Sequence, residues 1–238
     1  MLRHNWQVRA YVINLKDRVD RWDSVQKQLN ELGLNITRVE AFNKNDLREN
    51  ESQFVALGVA ATWKSHQLAM ERFLESSDEF GLIMEDDFSL KKSWKIQIIT
   101  QAVSLNPDFF QLGYLVTSPV DRIELALANS FDVLLKSINK LCSFSSLFKS
   151  KFGARLLVSE QKDLPWAVVA NDIRAGGHAY IVSRKFAEAS VFMNTPAFTS
   201  TDGVFISLGD VRSFRMYRSR KSVIDQTDSP TSVEQRYL

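Results

Sequence analysis

The chain has 238 residues, 45% of them hydrophobic and 11% aromatic, enough for one large or two small globular domains with a sizeable core. Its 30 basic and 28 acidic residues leave a formal charge of +2, a balance that gives no overall footprint of a nucleic-acid binder. The single Cys142 excludes an internal disulfide and fits a reducing compartment. The first seven residues lack the apolar core of a secretory signal, and no run approaches the ~18 apolar residues of a membrane span, so a cytoplasmic location is expected.

In chain order, Ala10 to Leu15 reads as a buried first strand, because β-branched and aromatic residues run without alternation. Asp17 or Asp20 can cap a following helix whose Trp22, Val25, Leu29 and Leu32 recur at helical spacing, with Gly33 as terminator. A short strand, Ile36 to Val39, comes next. A second helix from about Val59 to Leu74 carries Val59, Trp63, His66, Met70 and Phe73 on one face and leads into the strand Leu82-Ile83-Met84. This strand–helix–strand–helix–strand order predicts parallel pairing in an α/β sheet covered by helices. Phe109 to Tyr114 is a further strand after the break at Asn106-Pro107, and a helix is expected from Arg122 to Cys142. The irregular stretch up to Pro165 reads as an insertion at about 115–168 in one domain spanning 1–238. Gly176 to Val182 re-enters the sheet, and Ser183 caps a helix containing Phe186, Ala187 and Val191.

The most informative segment is Gly81 to Phe88, where an apolar run of strand length ends in Glu85-Asp86-Asp87. Adjacent carboxylates repel one another unless a cation joins them. Side chains just past the carboxyl end of a parallel strand line the ligand crevice of α/β proteins, so this cluster points to a divalent metal and a phosphorylated substrate. A solvated strand-to-loop turn would carry the same residues. Two acid-free stretches, Val133 to Ser159 with Lys136, Lys140, Lys149, Lys151 and Arg155, and Val211 to Ile224 with Arg212, Arg215, Arg218, Arg220 and Lys221, are either solvated faces or anion-facing surfaces.

Five landmarks in this order together resemble glycosyltransferase family 25, over roughly Tyr11 to Leu208. They are Val12 to Leu15 followed by Arg18, Asp20, Arg21 and Trp22; Gly58 followed by Ser65-His66; Ile83 to Asp87; His178 to Ser183; and Thr201-Asp202. Weaker similarity continues around Gln226 and Ser229. The resemblance implies a GT-A-like, Rossmann-like fold with a mixed, mainly parallel sheet flanked by helices. It also implies transfer of a hexose with inversion, usually galactose from UDP-galactose, with Mn²⁺ or Mg²⁺, onto a glycan or glycolipid acceptor such as a lipooligosaccharide.

Chemistry gives each matched residue a task. A pyrophosphate leaving group calls for a hard cation with oxygen ligands, which makes Asp87 the first metal candidate, with Glu85 or Asp86 directed at the ribose or a metal-bound water. His178 follows two glycines that permit close backbone approach and is a candidate for metal or substrate contact. Asn14, Arg18 and Arg21 sit where the nucleotide would rest; Arg21 equally suits an ion pair within the helix start. His66 reads first as a satisfied core histidine that buttresses the acidic loop. Inversion needs a base on the face opposite the nucleotide, and Asp202 matches the acidic position of the family, although a helix cap would look the same. Some relatives carry another acid three residues later, where this chain has Phe205, so Asp172 stands as the substitute base.

Two other classes fit parts of this pattern. A sugar nucleotidyltransferase would carry a Gly-rich basic loop after the first strand, and Lys16 to Arg21 contains no glycine. A non-catalytic nucleotide-sugar or glycan-binding protein is disfavoured by retention of all three acids. The basic run from Lys136 to Arg155 either packs with its helix on the core or rests at the inner face of an anionic membrane, where each basic residue contributes ~1 kcal/mol.

Overall fold

A computed structural model describes residues 8–48, 54–90, 95–116, 166–169, 173–211 and 213–227, with a few isolated positions between 119 and 164. Asp172, Cys142, the run from Lys136 to Arg155, most of the expected insertion and helix, and Ser229 lie outside the described residues.

Strand β1 (Val8–Asn14) is buried from Ala10 onward and lies between β2 (Asn35–Glu40) and β3 (Phe80–Glu85), parallel to both. Helix α1 (Val19–Asn30) links β1 to β2, and α2 (Leu57–Glu75) precedes β3. Leu34 N–H reaches back to the Leu29 carbonyl, closing α1 through Gly33 at φ +69°, a conformation that glycine adopts without strain. After β3 come β4 (Phe88–Leu90), α3 (Ile96–Ser104), β5 (Phe109–Gly113), β6 (Ala167–Val169), β7 (Ala179–Ser183), α4 (Arg184–Met193), α5 (Thr201–Gly209), β8 (Met216–Ser219) and β9 (Ile224–Gln226).

The main sheet has seven strands in the order β2-β1-β3-β7-β5-β8-β6. Strands β1, β2, β3, β5 and β8 run one way, and β7 and β6 run the other, so the sheet is mixed and mainly parallel as the sequence predicts. Alternate side chains feed two cores. Tyr11, Ile13 and Ile83 join Trp63 and Phe73 of α2, Phe186 of α4 and Phe205 of α5 on one face. Ala10, Val12, Leu82 and Met84 join Val25 and Leu29 of α1 and Ile99 and Val103 of α3 on the other. Helices on both faces explain why the strands read as unbroken apolar runs. Gly81 is part of this packing, because a Cβ there would stand 2.8 Å from the Phe73 ring.

Two pairings position the site. Strand β7 runs antiparallel to β3 with Ala179 beside Met84, so the residues entering β7 meet the acidic end of β3; Glu85 N–H donates to the His178 carbonyl at 2.9 Å. Strand β9 pairs antiparallel with β4, setting Gln226 beside Phe88 and folding the later chain over the acidic turn. No helix among the described residues is long and apolar enough to cross a membrane.

Candidate active site

The three acids at the end of β3 have different surroundings. Asp86 is turned toward β1 and α1, where Asn14 Nδ2 donates to Oδ2 and Arg21 Nη1 pairs with Oδ1 at 3.0 Å. Asn14 is itself fully buried, and its Oδ1 accepts from Arg38 Nε at 2.9 Å, while the Arg38 guanidinium lies over the Trp22 ring. Asn14 and Arg21, predicted to bind the nucleotide, thus brace Asp86 in this structure. Arg21 also keeps an enclosed Nε without a partner and lies 3.8 Å from Asp87. The Arg18 carbonyl accepts from Asn14 Nδ2 at 3.0 Å, but the Arg18 guanidinium turns elsewhere. It pairs at 2.9 Å with the exposed Asp20, whose carboxyl Arg18 holds down at about 2.

Asp87 is buried. Its Oδ2 accepts from Gln226 Nε2 at 2.9 Å, and its backbone carbonyl accepts from Thr227 N–H and Oγ1. Oδ1 is enclosed and has no hydrogen-bond partner. Burial above all, and then the charge of Glu85, push the Asp87 carboxyl above the ordinary aspartate range, with Gln226 and Arg21 opposing. Glu85 lies between this side and the helix layer, with Oε1 3.2 Å from His66 Nε2; His66 Nδ1 lies 2.8 Å from the Tyr180 hydroxyl. His66 therefore does what its apolar helical face suggests and buttresses the acidic loop.

Asp202 is the second residue of α5, but it does not cap the helix. Ser200 does so, its side chain accepting from Gly203 N–H. Asp202 instead accepts from Gly176 N–H at Oδ2, 3.0 Å away, and its Oδ1 is enclosed without a partner. Burial is the main cause raising its carboxyl above the ordinary range, with the Gly176 bond opposing and the Glu85 charge adding to the rise. The Gly176 bond and the closeness of Gly177 to Oδ1 place Asp202 beside the entry to β7, where the His178 carbonyl accepts from Glu85 N–H. His178 donates from Nε2 to the Ile224 carbonyl at 3.1 Å, since a carbonyl can only accept, and its Nδ1 is buried with no partner. Glycine makes room for this arrangement: a Cβ at Gly113 would overlap the His178 ring, and one at Gly177 would stand 3.3 Å from Asp202 Oδ1.

Among the described residues no three His, Cys, Asp or Glu side chains form a group that could hold a metal ion, so Asp87, Glu85 and His178 do not converge as a cage. His66 engages one Glu85 oxygen, and His178 is turned to Ile224. The donor set nevertheless fits a hard cation shared with a substrate. Mg²⁺-like ions are commonly held by one or two carboxylates together with substrate phosphates, and Asp87 Oδ1 is an unengaged carboxylate oxygen in a concentration of negative charge. Sequence reading missed Tyr180 and the contact of Gln226 with Asp87. The signals were present, in the His178 to Ser183 landmark and in the tail similarity.

A mixed, mainly parallel α/β sheet covered on both faces, with carboxylates where β3 ends, is consistent with a Rossmann-like glycosyltransferase fold. The chain belongs to glycosyltransferase family 25: the family model described as glycosyltransferase family 25 (LPS biosynthesis protein) matches residues 7–196. It is therefore a glycosyltransferase, and the family supports a role in lipopolysaccharide biosynthesis. None of the curated proteins compared with it matches.

Proposed function

We propose that the chain transfers a hexose, with galactose from UDP-galactose as the family-weighted choice, onto a glycan acceptor of lipopolysaccharide type, with inversion and with help from Mn²⁺ or Mg²⁺. One observation carries this reading. Two carboxylates, Asp87 just past the end of β3 and Asp202 beside the entry to β7, each have one oxygen hydrogen-bonded and the other enclosed and unpartnered, and both feel the charge of Glu85. Asp87 would hold the cation, with Glu85 directed at the donor ribose or a cation-bound water. Such a cation neutralises charge that develops on the departing diphosphate.

Asp202 is the base in this reading. The acceptor oxygen attacks the anomeric carbon, the bond from that carbon to the phosphate oxygen breaks, the nucleoside diphosphate leaves with the bonding electrons, and the acceptor proton passes to Asp202 Oδ1. Burial suits the task, since a carboxylate with raised proton affinity accepts a proton more readily near neutral pH.

A thermal-shift panel of UDP-, GDP- and CMP-sugars with and without Mn²⁺ tests the donor class. A ligand at 100 times its Kd stabilises by roughly 2.7 kcal/mol. A Mn²⁺-dependent rise with UDP-sugars alone supports the proposal; a rise with another base, or one indifferent to Mn²⁺, overturns it.

A further inference from the structure

The buried polar chain behind Glu85 has no part in the scheme above. Tyr180 is fully buried and sits in an aromatic cluster, with ring centroids 5.5 Å from Phe109 and 4.7 Å from Phe205. A phenol O–H left unpaired in such surroundings forfeits its hydration with nothing in return. Among the described residues its partner is His66 Nδ1 at 2.8 Å, and the other ring nitrogen lies 3.2 Å from Glu85 Oε1. His66 is itself 1% exposed, so water does not compete for either nitrogen.

The donor inventory fixes the direction of this chain. An ionised Glu85 can only accept, so His66 Nε2 carries the hydrogen; Nδ1 of a neutral ring is then an acceptor, and the Tyr180 hydroxyl donates to it. We infer that Tyr180 and His66 are positioning residues for the proposed transfer: the Tyr180 hydroxyl holds His66 in the Nε2–H tautomer, and that N–H holds the Glu85 carboxylate in the orientation in which it meets the donor. The inference rests on the proposed function, in which Glu85 faces the donor. Its logic is that of groups that set the tautomer and direction of a histidine beside a metal or substrate site, whose loss costs roughly 10- to 100-fold in affinity or activity.

Without the Tyr180 hydroxyl the ring has no donor at Nδ1 to exclude the other tautomer. The Nδ1–H form would present a lone pair to the Glu85 oxygen, and the carboxylate would lose that hydrogen bond. A purely structural role for Tyr180 predicts something different, a lower melting temperature with donor affinity intact.

The test uses the full chain with ¹⁵N-labelled histidine, in which three histidines are to be resolved and His66→Gln assigns the signal of interest. The wild type should show a neutral His66 protonated at Nε2, and Tyr180→Phe should show mixed tautomers. In calorimetry with UDP-galactose and Mn²⁺, Tyr180→Phe and His66→Leu should each bind the donor roughly 10- to 100-fold more weakly while folded. His66→Gln, whose amide N–H can still reach Glu85, should recover most of that loss. A wild-type His66 that is doubly protonated or carries its hydrogen on Nδ1 overturns the inference, as does unchanged donor affinity in folded Tyr180→Phe. Should Tyr180→Phe not fold, equal affinities of His66→Gln and His66→Leu overturn it. A wild type that binds no UDP-sugar refutes the functional reading and the positioning role with it, and the tautomer then shows that the polar chain itself was correctly assigned.

Discussion

Asp202→Asn separates catalysis from architecture, because Ser200 already caps α5 and the substitution removes no cap. The Asn carbonyl oxygen can keep the bond from Gly176 N–H, so the change falls on the oxygen that has no partner in the wild type. An amide cannot take the acceptor proton, and loss of a general base typically lowers kcat by ~10²–10⁴-fold, or roughly 2.7–5.4 kcal/mol of barrier at 1.36 kcal/mol per tenfold. The variant should keep wild-type donor affinity. Stability should respond with a definite sign. Because the folded-state carboxyl is raised above its unfolded value, the folded state binds more protons between the two values, and wild-type stability falls as pH rises through that window. The Asn variant lacks this fall, so its stability relative to wild type should increase with pH across the window. UDP release at saturating donor and acceptor, with denaturant melts at several pH values, reads both effects. Near-normal turnover by a folded variant would refute catalysis by Asp202 and make Asp172 the next residue to test; a flat stability difference across pH would refute the burial argument.

Asp87→Asn should leave the fold intact and abolish Mn²⁺-dependent UDP binding in calorimetry, since it removes the enclosed oxygen assigned to the cation; retained binding would reassign the ligand. Gly113→Ala should destabilise by about 1–3 kcal/mol, because the added methyl overlaps the His178 ring, and a melt within 0.5 kcal/mol of wild type, on the order of a surface substitution, would contradict that packing. Arg18→Ala removes only an exposed ion pair and should leave the melting temperature near wild type while weakening donor binding; wild-type donor affinity would leave Arg18 without a binding role.

Much of the sheet could be read from the chain because its strands are covered on both faces, so β1, β3, β5 and β7 stand out as apolar runs. Helix α3 did not, since Ile96, Ile98, Ile99, Thr100 and Val103 are strand formers by propensity; one buried face of Ile99, Ala102 and Val103 overrides that preference. The short strands β4, β6, β8 and β9 depend on distant partners that no local pattern announces. The acidic end of β3 was legible from composition alone, but the division of labour within it was not. Nothing local distinguishes Asp86, braced by Asn14 and Arg21, from Asp87, held by a glutamine 139 residues away. Likewise Ser200 and Asp202 are both good capping residues, and only the position of Gly176 N–H shows which one turns away from the helix start.

The central claim is a cation held jointly by Asp87 and the diphosphate of the donor, and calorimetric titration of Mn²⁺ with and without UDP tests it most directly. With no three-ligand group among the described residues, Mn²⁺ alone should bind weakly, and UDP should tighten its binding markedly, with the reciprocal gain for UDP in the presence of Mn²⁺. Tight Mn²⁺ binding without nucleotide, or UDP binding indifferent to Mn²⁺, would contradict the account.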